Sequence, residues 1–287
     1  MTRTSKKQRA KEREGKWKEL LERETPYQDY QFPVLSIIIP TRNNSEKISL
    51  TIDSVLSQRY PIFEIIIVDA GSTDRTLEVV RNYRDERMHI YSVSGFERYE
   101  MLNKGITQAK GEYVNCLFPG DFYIRQGSLL HMMELALDND KPHLVYCGTL
   151  IRDGKSEPKI LLRPLTLKLL KKGLQPTSLQ SCWFRTDMLR KLGKFDTDYR
   201  LRGGFELMCR FCLHQNLREA STNWILTDYD LRLVTREMII RHFLETFKTI
   251  YRHFGLFTTI RWLFIQKDFS RIIRTWVRGF KAAFFRS

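Results

Sequence analysis

Two short β-branched runs stand out in the first quarter of the chain. Ile37-Ile38-Ile39 halts at Pro40-Thr41-Arg42-Asn43, and Ile65-Ile66-Ile67-Val68 halts at Asp69-Ala70-Gly71-Ser72-Thr73-Asp74. Between them, Asn43 with Glu46 three residues on is suited to cap a helix that presents Ile48, Ile52, Val55 and Leu56 and ends before Pro61. Unbroken apolar runs separated by one helix-length segment predict buried parallel strands in a βαβ unit. Such sheets bind ligands at the carboxyl ends of their strands. Thr41, Arg42, Asn43, Asp69, Ser72 and Asp74 are therefore expected around one crevice, where their carboxylate, hydroxyl and amide groups suit a nucleoside.

The same patterning continues. Ser72 or Thr73 is expected to start a helix with Leu77 and Val80 inward, and Leu102, Ile106 and Ala109 mark the core face of a third helix closed by Gly111. Residues 113–118 read as a strand that delivers Pro119-Gly120-Asp121 to the same sheet edge. A helix over 129–137, a strand over 144–151 and a hairpin at Asp153-Gly154 follow. The polar head to Glu24 reads as a basic helix with only Trp17, Leu20 and Leu21 apolar, and Pro26 and Pro33 bracket a linker. At the other end, Phe269, Ile272, Ile273, Trp276, Val277, Phe280 and Phe284 share one helical face, with Arg271, Arg274, Arg278 and Lys281 on the other. Aromatics opposite arginines suit a helix lying in an anionic membrane surface. The division expected is residues 1–32 as a basic extension with its linker, 33–232 as the α/β domain and 233–287 as a basic amphipathic tail.

Charge sharpens this picture. The 287 residues carry a formal net charge of +15. Much of the excess lies at the ends: residues 1–24 hold nine Lys/Arg against five Glu, and residues 235–287 hold eleven against Glu237, Glu245 and Asp268. No nucleic-acid motif accompanies the charge, so no nucleic-acid partner is expected. No apolar stretch approaches the ~20 residues of a membrane-spanning helix, and the start of the chain lacks the apolar core of a signal peptide. The expectation is a cytoplasmic protein, peripheral on the inner face of the membrane. Five scattered cysteines argue against a disulfide framework. Cys209-x-x-Cys212 shares a helical stripe with Phe205 and Met208, which reads as core thiols.

The stretch "SIIIPTRNN…SVLSQRYPIFEIIIVDAGSTDRT…YEMLNKGITQAKGEYVNCLFPGD" resembles the start of a family 2 glycosyltransferase, closest to the branch that makes exopolysaccharide and colanic-acid-type polymers. The likeness runs over about residues 33–216, with several motifs in order. It implies a GT-A fold, a Rossmann-like mixed α/β sheet, and inverting transfer from a nucleotide-diphosphate sugar to a growing glycan or lipid-linked acceptor. Because the leaving group is a diphosphate, it also implies a divalent metal, Mn2+ or Mg2+, held by carboxylate oxygen. By the resemblance Asp121 is the metal ligand, although Phe118 and Gly120 stand where the family has further acids. Pro40, Thr41, Arg42 and Asn43 match the base-binding turn, and Asp69 with Ser72 matches the nucleotide-contacting motif, Ala70 replacing its second acid. Tyr99, Asn103 and Lys104 match the donor-side helix, and Gln180 matches a glutamine near the acceptor. The family's general-base aspartate falls on Gly204, which carries no base. The role passes to Glu206, or to a nearby aspartate such as Asp196, which ends the preceding Gly-Lys-Phe-Asp turn, or Asp198, or else the chain is a catalytically inactive donor- or partner-binding scaffold.

Overall fold

The computed structural model describes residues 31–265 apart from 96, 155, 156, 215, 232 and 233. The basic head over 1–24 and the amphipathic face over 269–284 lie outside the described residues. The elements, in order, are β1 (Leu35–Thr41), α1 (Ile48–Leu56), β2 (Phe63–Asp69), α2 (Thr76–Asn82), β3 (Met88–Ser92), α3 (Arg98–Gln108), β4 (Tyr113–Cys116) and α4 (Ser128–Asp138). There follow β5 (Leu144–Arg152), β6 (Lys159–Leu161), the helical turn α5 (Leu167–Leu170), β7 (Cys182–Arg185), α6 (Thr186–Lys191), α7 (Gly203–Leu213), β8 (Glu219–Asp230) and α8 (Arg236–Ile265).

The β-branched runs form the centre of a mixed sheet, as their pattern predicts. Every residue of β1 and β2 is buried, which only helices on both faces can achieve for a parallel pair. β3, β2, β1 and β4 run parallel in that spatial order, and β7 then joins antiparallel between β4 and β5. β6 pairs antiparallel with the later part of β5, and β8 runs parallel along it. Short β3 and β7 and the long β8 are strands that apolar patterning did not predict: β3 is only half-buried, and β8 alternates exposed and buried positions irregularly.

Helix α3 seats its predicted face, Leu102 and Ile106, on β1 and β2. Gly105 lets it come close, since a Cβ there would lie 2.4 Å from Ile38 Cγ2. The predicted helix starts need correction. Asn43 adopts φ 53° and does not cap α1, which begins at Ile48 without a side-chain cap. Neither Ser72 nor Thr73 starts α2; Asp74 accepts the Thr76 N–H at 2.9 Å and the helix begins there. The predicted strand over 113–118 ends at Cys116.

The region assigned to a tail is built into the domain as far as it is described. From α8, Ile250 and Trp262 join the main core, and buried Glu245 accepts the backbone N–H groups of Arg200, Leu201 and Arg202 at 3.0, 2.9 and 2.7 Å. Cys209 packs in the same core and Cys212 is half-buried.

Candidate functional site

The carboxyl ends of β1 and β2 lie side by side, Thr41 opposite Asp69 in register. Buried Asp69 accepts from the Ser72 N–H at 3.0 Å and the Ser72 hydroxyl at 2.5 Å, and that hydroxyl in turn accepts the Asn43 N–H at 3.0 Å. The Asn43 side-chain carbonyl accepts the Thr73 N–H at 2.8 Å. The two loops are thus laced together side by side at the strand ends, although none of Pro40, Thr41, Arg42, Asn43, Asp69 and Ser72 lines either of the hollows described below. Asp74 lies just behind them, its carboxyl held well below the usual carboxylate range by hydrogen bonds, first from the Thr76 hydroxyl.

Beyond β4, Gly120 takes φ +100°, a left-handed conformation that only glycine adopts without strain, and turns the chain so that Asp121 faces inward. Thr51 from α1 fastens this turn, its hydroxyl 2.8 Å from the Asp121 carbonyl and 2.9 Å from the Gly120 N–H. The Asp121 carboxylate accepts Gln180 Nε2 at 2.7 Å and the backbone N–H of Asp230. Burial nevertheless pushes its pKa up to about 7, with the Gln180 hydrogen bond opposing and the nearby Asp228 charge adding to the rise. Asp228 is itself fully buried and paired twice with Arg152, at 2.5 and 2.6 Å.

Gln180 is placed by a hydroxyl cluster. The Thr149 hydroxyl on β5 lies 2.7, 2.8 and 2.5 Å from those of Thr177, Ser178 and Ser181, and Ser181 bonds Thr227 on β8. Three distant segments of chain therefore fix one amide against one carboxylate.

Two hollows meet at this point. One, of about 200 Å³, is lined by Asn44, Lys47, Arg98, Asp121 and Asp230 among others. The second, of about 50 Å³, is lined by Gln175, Gln180 and Gly204 among others. Arg98, Phe118 and Tyr229 line both, the Arg98 guanidinium lying 4.4 Å over the Phe118 ring.

Lys47, Arg98, Gln175, Tyr229 and Asp230 were not predicted from sequence. Asp230 had one readable signal, the acidic alternation Asp228-Tyr229-Asp230 after an apolar run.

Several predicted residues do other work. Tyr99 lines the smaller hollow, and its hydroxyl donates to the Leu201 carbonyl at 2.9 Å and accepts the Gly204 N–H at 3.2 Å, so it also anchors the start of α7. Asn103 is committed on both sides of its amide to the Phe195 backbone, at 2.8 and 2.9 Å, and neither it nor Lys104 lines either hollow.

Glu206, expected as general base, is the clearest correction. It sits two residues past Gly204, more than half a helical turn away from the hollow that Gly204 lines. There it is buried against Arg210, at 2.7 to 2.9 Å, and His253 at 3.0 Å. Burial alone would raise its pKa, yet the hydrogen bonds from His253 and Arg210 hold it below the ordinary range. Asp196 and Asp198 are likewise paired, with Arg252 and Lys248. Among the described residues lining the smaller hollow there is no carboxylate.

A divalent metal fits this site only as a shared ligand. Among the described residues no group of three or more His, Cys, Asp or Glu is placed to hold an ion. Mg2+-like sites, however, use one or two carboxylates completed by substrate phosphates and water. Asp121 and Asp230 supply such a pair on one wall, and the desolvated Asp121 carboxyl gains a counter-charge when a cation binds.

Comparison with known proteins identifies the family and the fold. The family described as Glycosyl transferase family 2 matches residues 36–193, more than half of the chain. An uncharacterised glycosyltransferase of Rickettsia typhi is 31% identical over 189 residues, 62% of this chain and 58% of that protein. A poly-beta-1,6-N-acetyl-D-glucosamine synthase of Staphylococcus epidermidis is 35% identical over 126 residues, 42% of this chain and 30% of that protein. The chain spans about three fifths of the length of the Rickettsia relatives it matches. S. aureus TarS 1-349 in complex with UDP-GlcNAc superposes with a TM-score of 0.64 at 19% identity, over 77% of this chain and 66% of that one. The mannosyltransferase PcManGT of Pyrobaculum calidifontis, in complex with GDP-Man and Mn2+, superposes with a TM-score of 0.56 at 17% identity, over 89% and 85%. At these identities the structures share the fold.

Proposed function

The chain belongs to glycosyl transferase family 2, and from that premise we propose that it moves a sugar, with inversion, from a nucleotide-diphosphate donor to a growing glycan or lipid-linked acceptor in polysaccharide synthesis. The observation that carries this reading is the placing of two laced loops, Thr41 to Asn43 with Asp69 and Ser72, and a buried carboxylate, Asp121, after adjacent parallel strands of one sheet. In it, Asp121 with Asp230 would hold Mn2+ or Mg2+, and the bound ion would supply positive charge against the diphosphate. Lys47 and Arg98 face the same volume and add fixed positive charge where the leaving group develops its own. Gln180 orients Asp121 and lines the acceptor hollow as well.

Membrane attachment belongs to this proposal. No helix among the described residues is long and apolar enough to cross a membrane. The aromatic-and-arginine repeat after residue 268 supports peripheral binding on the cytoplasmic face.

A second reading, a scaffold that binds donor without turning it over, is favoured by one observation: Gly204 and Leu179 line the acceptor hollow, and no carboxylate does among the described residues. Melting the protein against UDP-, GDP- and dTDP-sugars, each with Mn2+, Mg2+ or chelator, tests both. A ligand that binds only the folded state raises the melting temperature. A metal-dependent rise with release of free nucleotide supports transfer; a rise with no turnover supports the scaffold; no rise with any donor overturns both.

A further inference from the structure

The half of α8 beyond Gly255 carries an apolar face turned away from the core. Gly255, at φ 78° and ψ 174°, breaks the helix. Beyond it Thr259 and Trp262 are buried, Trp262 packing on Phe243 with ring centroids 5.1 Å apart. Leu256, Phe257, Ile260, Phe264 and Ile265 stay exposed, Phe257 to 88% and Phe264 to 71%. Nearly half of the exposed large apolar side chains among the described residues lie on α8. A concentration of that kind marks a contact surface.

Opposite this face stand cations. A groove of about 480 Å³ is lined by Lys168 of α5 and Lys171 and Lys172 just after it, with Phe257, Arg261 and Ile265 across from them. No acidic side chain lines the groove among the described residues, and none occurs between 256 and 265. Lys171 Nζ rests 5.7 Å from the Phe254 ring centroid, which holds the lysine row beside the helix.

We propose that α5 and the second half of α8 form a dock for an anionic lipid bilayer, with Phe257 and Phe264 entering the boundary between headgroups and acyl chains and Lys168, Lys171, Lys172 and Arg261 facing lipid phosphates. Charge selects this occupant. A second copy seated face to face would bring the same cations against themselves. The chain after 265 carries Lys267, Arg271, Arg274, Arg278, Lys281 and Arg286 against Asp268, so folding it into the groove would also place like charges together. Phosphate-bearing lipid satisfies the cations while its interior accepts the phenylalanines. The dock stands without the sugar-transfer reading. It also adds to that reading: the Gly173 carbonyl accepts from Arg202 Nη2 at 2.9 Å, and Gln175, a few residues past the lysines, lines the acceptor hollow, so an acceptor carried in the bilayer would meet the site nearby.

The test uses the full chain and floated vesicles of equal parts phosphatidylglycerol and phosphatidylcholine, against phosphatidylcholine alone, at low and high salt. Lys168→Glu with Lys171→Glu and Lys172→Glu, and separately Phe257→Ser with Phe264→Ser, are expected to lower partitioning onto anionic vesicles at least about tenfold. Melting temperature, oligomeric mass and donor-induced thermal shift are expected to stay unchanged, which separates failure of the dock from failure of the transferase reading. The added indole emission of a Phe257→Trp variant is expected to move to the blue on anionic vesicles and to be quenched by brominated lipid. Three outcomes overturn the dock. The Phe257→Trp variant binds vesicles while its added indole stays unquenched; or only Arg271→Glu with Arg274→Glu and Arg278→Glu releases the protein; or the serine pair changes the oligomeric mass without lipid, which assigns the face to a second copy.

Discussion

Asp121 is a carboxyl group placed where charge without a partner is strongly disfavoured. Its pKa in the folded chain, about 7, lies above the ordinary 3.8, so the folded state holds the proton more tightly. The stabilisation from that proton is complete below about pH 4 and is lost as pH rises through about 7. In chelator, Asp121→Asn is therefore expected to be more stable than wild type at pH 8, by about 2 kcal/mol, and to lose this advantage at pH 5. The same variant is expected to lose turnover and the metal-dependent part of the donor-induced thermal shift. Wild-type turnover in Asp121→Asn would remove Asp121 from the site. Glu206 poses the opposite case. Because its pKa is held down, its stabilisation is present above the ordinary carboxylate range and lost as pH falls. Glu206→Gln keeps the shape but leaves Arg210 without a countercharge, for a predicted loss of about 2–3 kcal/mol in urea melts. Donor affinity of the folded fraction is expected to be unchanged, and a variant of full stability whose turnover alone fell a hundredfold would instead return Glu206 to the role of base.

At the scale of elements, what periodicity could reveal was the parallel half of the sheet. The apolar runs Ile37–Ile39 of β1 and Ile65–Val68 of β2 and the 3.6-residue stripe of α3 declare themselves, because each buries a face dictated by its own side chains. Helix starts were less legible. Asn43 and Ser72 carry ordinary capping side chains, and they commit them to each other's loops, Ser72 Oγ to the Asn43 N–H across 29 residues and Asn43 Oδ1 to the Thr73 N–H across 30, a partnership no local rule anticipates. The base position failed for a related reason: on α7, Gly204 and Glu206 are two residues apart in sequence but on different faces of the helix. Room exists for a carboxylate where the glycine stands. A Cβ on Gly204 would meet Leu179 Cδ1 at 3.5 Å, ordinary van der Waals contact. Gly204→Asp is thus expected to fold, with Tm within a few degrees of wild type. If the natural chain is a weak transferase or a scaffold, sugar transfer to acceptor rises in this variant while donor affinity stays level. Gly203→Asp serves as the control, since a Cβ there would lie 2.7 Å from the Tyr99 ring and the helix start would be displaced.

The whole molecule completes its site from far along the chain. Asp121 follows β4, yet its amide partner, Gln180, comes from the turn before β7, and its acidic neighbours come from the end of β8. Pattern reading could place the first of these and not the last, because β8 is held in position by pairing with β5 rather than by an apolar face of its own. Arg152 is the pivot of that arrangement, since it neutralises Asp228 beside Asp121. Arg152→Gln leaves a buried carboxylate unpaired, and its charge then bears on Asp121 more strongly. Two consequences are expected: a loss of about 3 kcal/mol or more in stability, and an upward movement in pH of the midpoint for Mg2+-dependent donor binding, because Asp121 must shed its proton against a larger negative field. Adding Asp228→Asn to Arg152→Gln removes the stranded charge. The double variant should recover much of the stability and bring the midpoint back to or below that of wild type. Titrating donor binding by fluorescence from about pH 6 to about pH 9, a window around the raised Asp121 pKa, in wild type and both variants reads the second effect apart from the first. A midpoint that stays fixed in folded Arg152→Gln would mean that β8 braces the fold at this point without tuning the carboxylate that faces the donor.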